Sequence, residues 1–157
     1  MDKILDIDNV DLKIISLLNE DAKTPYTEIA KKVFVSSGTV HVRMKKLEDM
    51  GVVKSATLNI DFSKLGYDIS AFLGIYLEKS SLYDTVIEKL KGIAEVVSAY
   101  YTTGNYSIFA KIICRDTNHL RLVLDKIQKV DGIDRTETLI VLEESINRPI
   151  QFFDKEK

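Results

Sequence analysis

Residues 26–47 read Tyr26-Thr27-Glu28-Ile29-Ala30-Lys31-Lys32-Val33-Phe34-Val35-Ser36-Ser37-Gly38-Thr39-Val40-His41-Val42-Arg43-Met44-Lys45-Lys46-Leu47, and this stretch decides the fold of the first third of the chain. Ile29, Ala30 and Val33 recur at helical spacing behind Thr24 and Pro25, which read as N-cap and first helical residue of a short helix. Ser36-Ser37-Gly38 punctuates, and a longer helix is predicted from about residue 37 to residue 50, where Gly51 stops it. On that helix Val40, Met44 and Leu47 fall within one narrow arc, a face for packing. The opposite arc holds Gly38, Thr39, Val42, Lys45, Lys46 and Asp49, with Arg43 on its flank, so it is small at its start and cationic further along. Upstream, Val10, Ile14, Ile15, Leu17 and Leu18 predict a first helix over residues 8–20, with Asp8 as cap and Asp11 in its first turn. Three short helices with tight turns make a trihelical unit. The β-rich run over residues 52–60 is expected to add a wing and a linker strand.

Charge follows the same division. Residues 1–30 hold three cations and seven anions, net −4; residues 31–54 hold six cations against Glu48 and Asp49, net +4. From residue 61 onward 13 cations face 15 anions. The whole-chain net of −2 therefore hides a local dipole of the kind a small DNA-reading unit needs, because phosphate contacts require local cations. The 157 residues are 45% hydrophobic and 29% charged, which excludes disordered, collagenous and disulfide-stapled classes. The single Cys114 can form no internal disulfide, so a reducing, cytoplasmic setting is expected. Asp2, Lys3, Asp6, Asp8 and Asp11 leave no apolar signal core, and no uncharged run approaches the roughly 18–20 residues that span a bilayer.

Beyond Gly66 the pattern changes. A strand is predicted over residues 69–78, a helix over 81–93 and a strand over 95–102. After a Gly104-Asn105 turn come a strand over 106–115, a helix over 117–130 capped by Thr117, and a strand over 133–143. The order β-α-β-β-α-β is the split ferredoxin-like arrangement, an antiparallel sheet with two helices on one face. Ile108, Ala110 and Ile112 alternate with the also apolar Phe109 and Ile113, so both faces of this strand read as buried. One helical layer covers one face, and a second subunit is expected to cover the other. The division is thus a winged helix-turn-helix over residues 1–53, a linker over 54–66 and a ferredoxin-like domain over 67–157.

The opening Ile7-Asp8-Asn9-Val10-Asp11, the segment Tyr26 to Lys32, the run Val35 to Arg43 and the run Leu47 to Val53 together resemble the winged helix-turn-helix of Lrp/AsnC feast-or-famine transcription regulators. Leu65-Gly66-Tyr67-Asp68, the strand pair around Thr102-Thr103-Gly104-Asn105-Tyr106 and the ending Thr136 to Glu143 resemble the same family's amino-acid-sensing domain. The resemblance implies a DNA-binding regulator that is not an enzyme. It also implies a homodimer with its sheets face to face, often assembled into octamers. Ser36, Ser37, Gly38, Thr39, Val42, Arg43, Lys45 and Lys46 are the expected contacts to double-stranded DNA. Small residues let the backbone approach base edges, and the cations reach phosphate or guanine.

For the sensing site the resemblance implies a cleft between subunits formed by the turn Thr102, Thr103, Gly104, Asn105 and Tyr106, facing Asp125, Thr136 and Thr138. Backbone amides around Gly104 suit a free amino acid's carboxylate, and Asp125 suits its ammonium. Thr136 and Thr138 alternate and so share a face. Many relatives carry Asp where this chain has Asn105 and Ser107, which points to a neutral polar effector; the run Ala99 to Phe109 is closest to the asparagine-responsive branch. The competing reading is the sirohaem decarboxylases, which resemble this family in fold. They would need His, Arg or Tyr side chains gripping a tetrapyrrole, and the sensing domain offers His119, Arg115, Arg121, Arg135 and Arg148. His41, His119 and Cys114 have no zinc spacing, and neither a phosphate loop nor a nucleophile elbow is present. No cofactor beyond the effector and no metal is expected.

Overall fold

A computed structural model describes residues 6–150 and 152. Three helices form first: α1 (Asn9–Glu20), α2 (Tyr26–Val33) and α3 (Ser37–Asp49). The Asp8 carboxylate accepts from the amides of Val10 and Asp11 at 2.9 Å each, while Asp11 accepts from the Asp8 amide at 3.2 Å, a complete capping box. Thr24 does not cap α2. The cap position is Pro25, whose carbonyl takes the amides of Glu28 and Ile29, because the helix starts one residue later than expected. Ser36 caps α3 through the Thr39 amide at 3.1 Å. At the other end Gly51, at φ 71°, turns the chain so that the Val52 and Val53 amides return to the Leu47 carbonyl. Ile14, Ile29, Ala30, Val33, Val40, Met44 and Leu47 close one core, so the arc predicted for packing is the buried one.

The run expected to give a wing and linker strand carries no ladder among the described residues, and Leu58 and Ile60 are exposed. A strand exists only against a neighbour that takes its amides and carbonyls, and residues 54–61 lie in no ladder here.

The second part contains β1 (Ile69–Leu77), α4 (Tyr83–Lys91), β2 (Val96–Tyr101), β3 (Ile108–Cys114), α5 (Thr117–Gln128) and β4 (Ile133–Ile140). The four strands make one antiparallel sheet in the order β2-β3-β1-β4. This is the expected split arrangement with trimmed ends. Asp116 rather than Thr117 caps α5, accepting from the His119 amide at 2.7 Å. Ala71, Leu73 and Ile75 of β1 and Ile108, Ala110, Ile112 and Cys114 of β3 bury against Val86, Leu90, Leu120, Val123 and Ile127. The opposite face is only partly covered: Phe72 and Phe109 stack at 5.3 Å, and Lys111 lies 5.9 Å from the Phe72 ring. Within one chain Phe109 and Ile113 are half-buried, because the helices lie on the other face.

Two compact units result: Met1–Asn59 with Ile146–Lys157, and Ile60–Ser145. The ladder ends with the Val141 amide on the Ser70 carbonyl.

Candidate functional site

On α3 the exposed arc is the one read from the sequence. Gly38 and Lys45 are exposed, and Val42 is 71% exposed despite being apolar. A shallow groove of about 750 Å³ brings together Ser36, Gly38, Thr39, Val42, Arg43 and Lys46; Ser37 and Lys45 are not in its lining. Ser36 and Thr39 share a hydroxyl hydrogen bond of 2.8 Å, so their side chains are committed to the helix start.

The same groove is bordered by Asp6 and Asp8, which the sequence reading counted only among the anions of residues 1–30 and, for Asp8, as a helix cap. Arg43 Nη1 donates to Asp8 at 2.7 Å and to Asp11 at 2.8 Å; Lys46 Nζ reaches Asp6 at 3.2 Å and Asp11 at 3.4 Å. Asp11 is fully buried. Burial alone would push its carboxyl up, but the Arg43 guanidinium and the Asp8 amide hold it below the usual carboxylate range. Asp8 is lowered by the Asp11 amide and by Arg43, and Arg43 is raised in turn by Asp11 and Asp8. Lys46 loses some preference for charge through desolvation, yet Asp6 and Asp11 raise it overall. Arg43 and Lys46, expected as reading residues, thus tie α3 to the start of α1. Their partners lie 32–40 positions away, which no local pattern reveals. His41 packs its ring edge-on to Tyr26 at 4.5 Å, a second link from α3 to α2.

The turn expected to sense the effector connects β2 to β3. Gly104 sits at φ 104°, a conformation that L side chains rarely adopt. The Thr102 amide donates to the Ser107 carbonyl at 3.2 Å, the Thr102 hydroxyl to the Tyr106 carbonyl at 2.8 Å, and the Ser107 amide to the Ile75 carbonyl at 2.9 Å. Tyr106 leaves the turn and lies on Gly74, where a Cβ would stand 2.5 Å from its ring. Its hydroxyl donates to Glu137 at 2.8 Å, and Tyr76 donates to the same carboxylate at 3.0 Å. Arg135 stacks on Tyr76 at 3.9 Å.

The remaining predicted sensing residues lie elsewhere. Thr136 and Thr138 pair with Ile75 and Leu73, whose side chains are in the helix-side core, and Gln128 of α5 donates to the Thr136 hydroxyl at 3.2 Å. Asp125 on α5 accepts from Arg121 at 3.4 Å. Glu137, between the two threonines, pairs with Gly74 and belongs to the opposite face with Tyr106. One chain therefore does not gather the expected set into one pocket, because β4 presents its threonines and its glutamate to different sides. Gly74, Tyr76, Gln128 and Glu137, which contact these residues or pack beside them, were not singled out from the sequence. The alternation Thr136-Glu137-Thr138 was the available signal for Glu137.

Of the groups that a tetrapyrrole enzyme would need, Tyr67, Arg115 and His119 share one cavity of about 630 Å³, while Arg121 and Arg135 lie outside its lining. His119 is hydrogen-bonded to Glu95 at 3.0 Å and to the Arg115 amide; Arg115 lies over Tyr67, Arg121 is on Asp125 and Asn118, and Arg135 is on Tyr76. Cys114 is buried and desolvation pushes its thiol up. Among the described residues no group of three His, Cys, Asp or Glu is placed to hold a metal ion, and no helix is long and apolar enough to cross a membrane.

Comparison with known proteins matches both parts. Residues 7–54 match the winged helix-turn-helix DNA-binding family, and residues 70–150 match the Lrp/AsnC ligand binding domain. The chain is 49% identical over 146 residues to Regulatory protein AsnC of Haemophilus influenzae, covering 92% of this chain and 97% of that one. It is 45% identical to Regulatory protein AsnC of Escherichia coli K12, covering 92% and 96%. Its fold superposes on the structure of E. coli AsnC with a TM-score of 0.86 at 43% identity, covering 92% and 98% of the two chains. A transcriptional regulator of Neisseria meningitidis, solved as its L-Met complex, shares the fold at a TM-score of 0.85 with 22% identity.

Proposed function

Because the chain belongs to the Lrp/AsnC family of transcription regulators, we propose that its α3 reads the major groove while asparagine, bound at the turn of residues 102–106, sets its assembly and DNA affinity. The protein is a DNA-binding transcription regulator that responds to an amino acid. The observation that carries the reading arm is the exposed arc Gly38–Thr39–Val42–Lys45 backed by a closed core. Gly38 and Thr39 let the backbone near base edges, Val42 suits a thymine methyl, and Lys45 with the first-turn amides suits phosphate. In this reading Ser36 and Ser37 set the helix start, and Arg43 and Lys46 act mainly by orienting α3.

For the sensing arm, the half-covered sheet face with stacked Phe72 and Phe109 supports a homodimer, assembling further into octamers. The split of the sensing residues between two faces supports a cleft to which two copies contribute, with the turn Thr102, Thr103, Gly104, Asn105 and Tyr106 from one side and Asp125, Thr136 and Thr138 from another. The neutral Asn105 and Ser107 favour asparagine over cationic effectors. The role is regulatory and not enzymatic, and it is exercised in the cytoplasm.

A thermal-shift series over the twenty amino acids tests the effector. A ligand at about 100 times its Kd stabilises the native state by roughly 2.7 kcal/mol, which for a chain of this size raises Tm by about 5–10 °C. Asparagine is expected to produce that rise and to alter the shift of a promoter fragment in gel retardation. A rise with leucine or lysine and none with asparagine overturns the assignment.

A further inference from the structure

We propose that Glu137 is the positioning residue of the sensing turn: its carboxylate, held by Tyr76, tethers Tyr106 across β1 and thereby fixes residues 102–107 in their ligand-ready shape. The inference rests on the proposal that this turn binds the effector, and it assigns to that site a residue on another strand and with no ligand role of its own.

The geometry behind it is continuous. Turn residues after β2 have only the Thr102–Ser107 bond, the Thr102 hydroxyl on the Tyr106 carbonyl and the Ser107–Ile75 bond to hold them, and Gly104 adds no side chain. Tyr106 supplies the missing anchor. Its ring fills the space over Gly74 that any side chain would block, stands edge-on to Tyr76 at 5.2 Å and stacks near Phe109 at 5.9 Å. The position of its hydroxyl is then decided 31 residues away, by Glu137. One carboxylate accepting two phenols is a charge-assisted pair of hydrogen bonds, about twice as strong as neutral ones. The second phenol, Tyr76, is clamped by the Arg135 guanidinium, so Glu137 has few positions open to it. The two phenols and Arg135 hold the Glu137 carboxyl below its usual range, and Glu137 raises the Tyr106 phenol, so the carboxylate is the acceptor throughout the physiological range.

The arrangement also separates positioning from ligation. A glutamate that bound the effector ammonium would need its charge. A glutamate that only holds two phenols needs a hydrogen-bonding group of the right length at each, and glutamine supplies both, its amide oxygen accepting from one phenol and its amide nitrogen donating to the oxygen of the other.

The test uses the full chain with three substitutions, Glu137→Leu, Glu137→Gln and Gly74→Ala, each read twice. Hydrogen exchange at the Thr102 and Ser107 amides without ligand reports the turn, and calorimetric titration with asparagine reports the site. Loss of a hydrogen bond to a charged group predicts about tenfold faster exchange at those two amides and about tenfold weaker asparagine binding in Glu137→Leu. Glu137→Gln is expected to stay within about threefold of wild type in both, since the amide can satisfy both phenols. Gly74→Ala, which displaces the Tyr106 ring without touching a polar group, is expected to behave like Glu137→Leu; it carries the test if the leucine variant does not fold. Wild-type exchange at both amides in the leucine and alanine variants overturns the tether. Equal loss of asparagine binding in Glu137→Gln and Glu137→Leu overturns the positioning role, because charge would then be what matters. If the wild type binds none of the twenty amino acids, the effector reading fails on its own, and the exchange data still decide the tether.

Discussion

Each unit uses a carboxylate to hold the element proposed to carry its function, and the two do so in different surroundings. In the first unit Asp11 is fully buried, and through Arg43 and Lys46 it binds the reading helix to α1. In the second, Glu137 lies on an exposed position of β4 and holds the sensing turn through Tyr106. Burial decides what each can tolerate. A buried carboxylate stripped of its cation is an uncompensated charge in the core, whereas one outside the chain's own core is rehydrated wherever water reaches that face. The α3 contacts thus reach into a core, and the Tyr106 contact lies outside one.

The comparison breaks most directly at Arg43. Arg43→Ala is expected to cost about 3 kcal/mol, the low end for breaking a buried pair since Arg43 is itself a quarter exposed. Denaturant unfolding, with hydrogen exchange across α1 and α3, measures it. Because Asp8 and Asp11 titrate below their ordinary range when folded, their stabilisation is complete above the usual carboxylate pKa of about 3.9 and is lost as pH falls through their depressed folded values. Without Arg43 that acid limb flattens. A variant that keeps full stability and only loses DNA affinity would return Arg43 to the phosphate contacts.

A smaller effect separates reading from holding. Lys45→Ala is expected to leave stability within about 0.5 kcal/mol while lowering the slope of log affinity against log salt by about 1, the mark of one lost phosphate contact. An unchanged slope removes Lys45 from the interface. A last effect, on stability alone, concerns Phe34, which is 93% exposed and stands at φ 58° after α2. An L residue pays roughly 1–2 kcal/mol in that conformation, so Phe34→Gly is expected to gain about 1 kcal/mol in unfolding experiments. A loss would mean that the phenylalanine makes contacts worth more than the strain.

The order of helices and strands was legible because the 3.6 and 2.0 periodicities are strong here: Val40, Met44 and Leu47, or Ile108, Ala110 and Ile112, each point to one side and are buried. The α1 cap was legible because Asp8 and Asp11 have the spacing of a reciprocal pair. Caps failed where two good candidates adjoin, as Asp116 and Thr117 do. The strand expected after α3 failed because β propensity needs a neighbouring edge, which the described residues of that unit do not supply. The site was half legible. Gly38, Thr39 and Val42 follow from helical phase alone, and the turn at Gly104 follows from its local sequence. The roles of Arg43 and Glu137 depend on partners 32 and 31 positions away, and the separation of Glu137 from its threonine neighbours depends on how β4 registers against β1.

That register also governs how the molecule comes into being. β1 takes its outer neighbour from β4, with Tyr76 meeting Glu137 across 61 positions, while the three-helix contacts span at most 40 between hydrogen-bonded side chains. Long-range strand pairing is slow relative to local helix packing. On a ribosome releasing the chain from its first residue, α1, α2 and α3 can dock while β4 is still unmade. For that interval β1 has an open edge and an uncovered apolar face, and the nascent chain is at its most aggregation-prone between the completion of β3 and the arrival of β4.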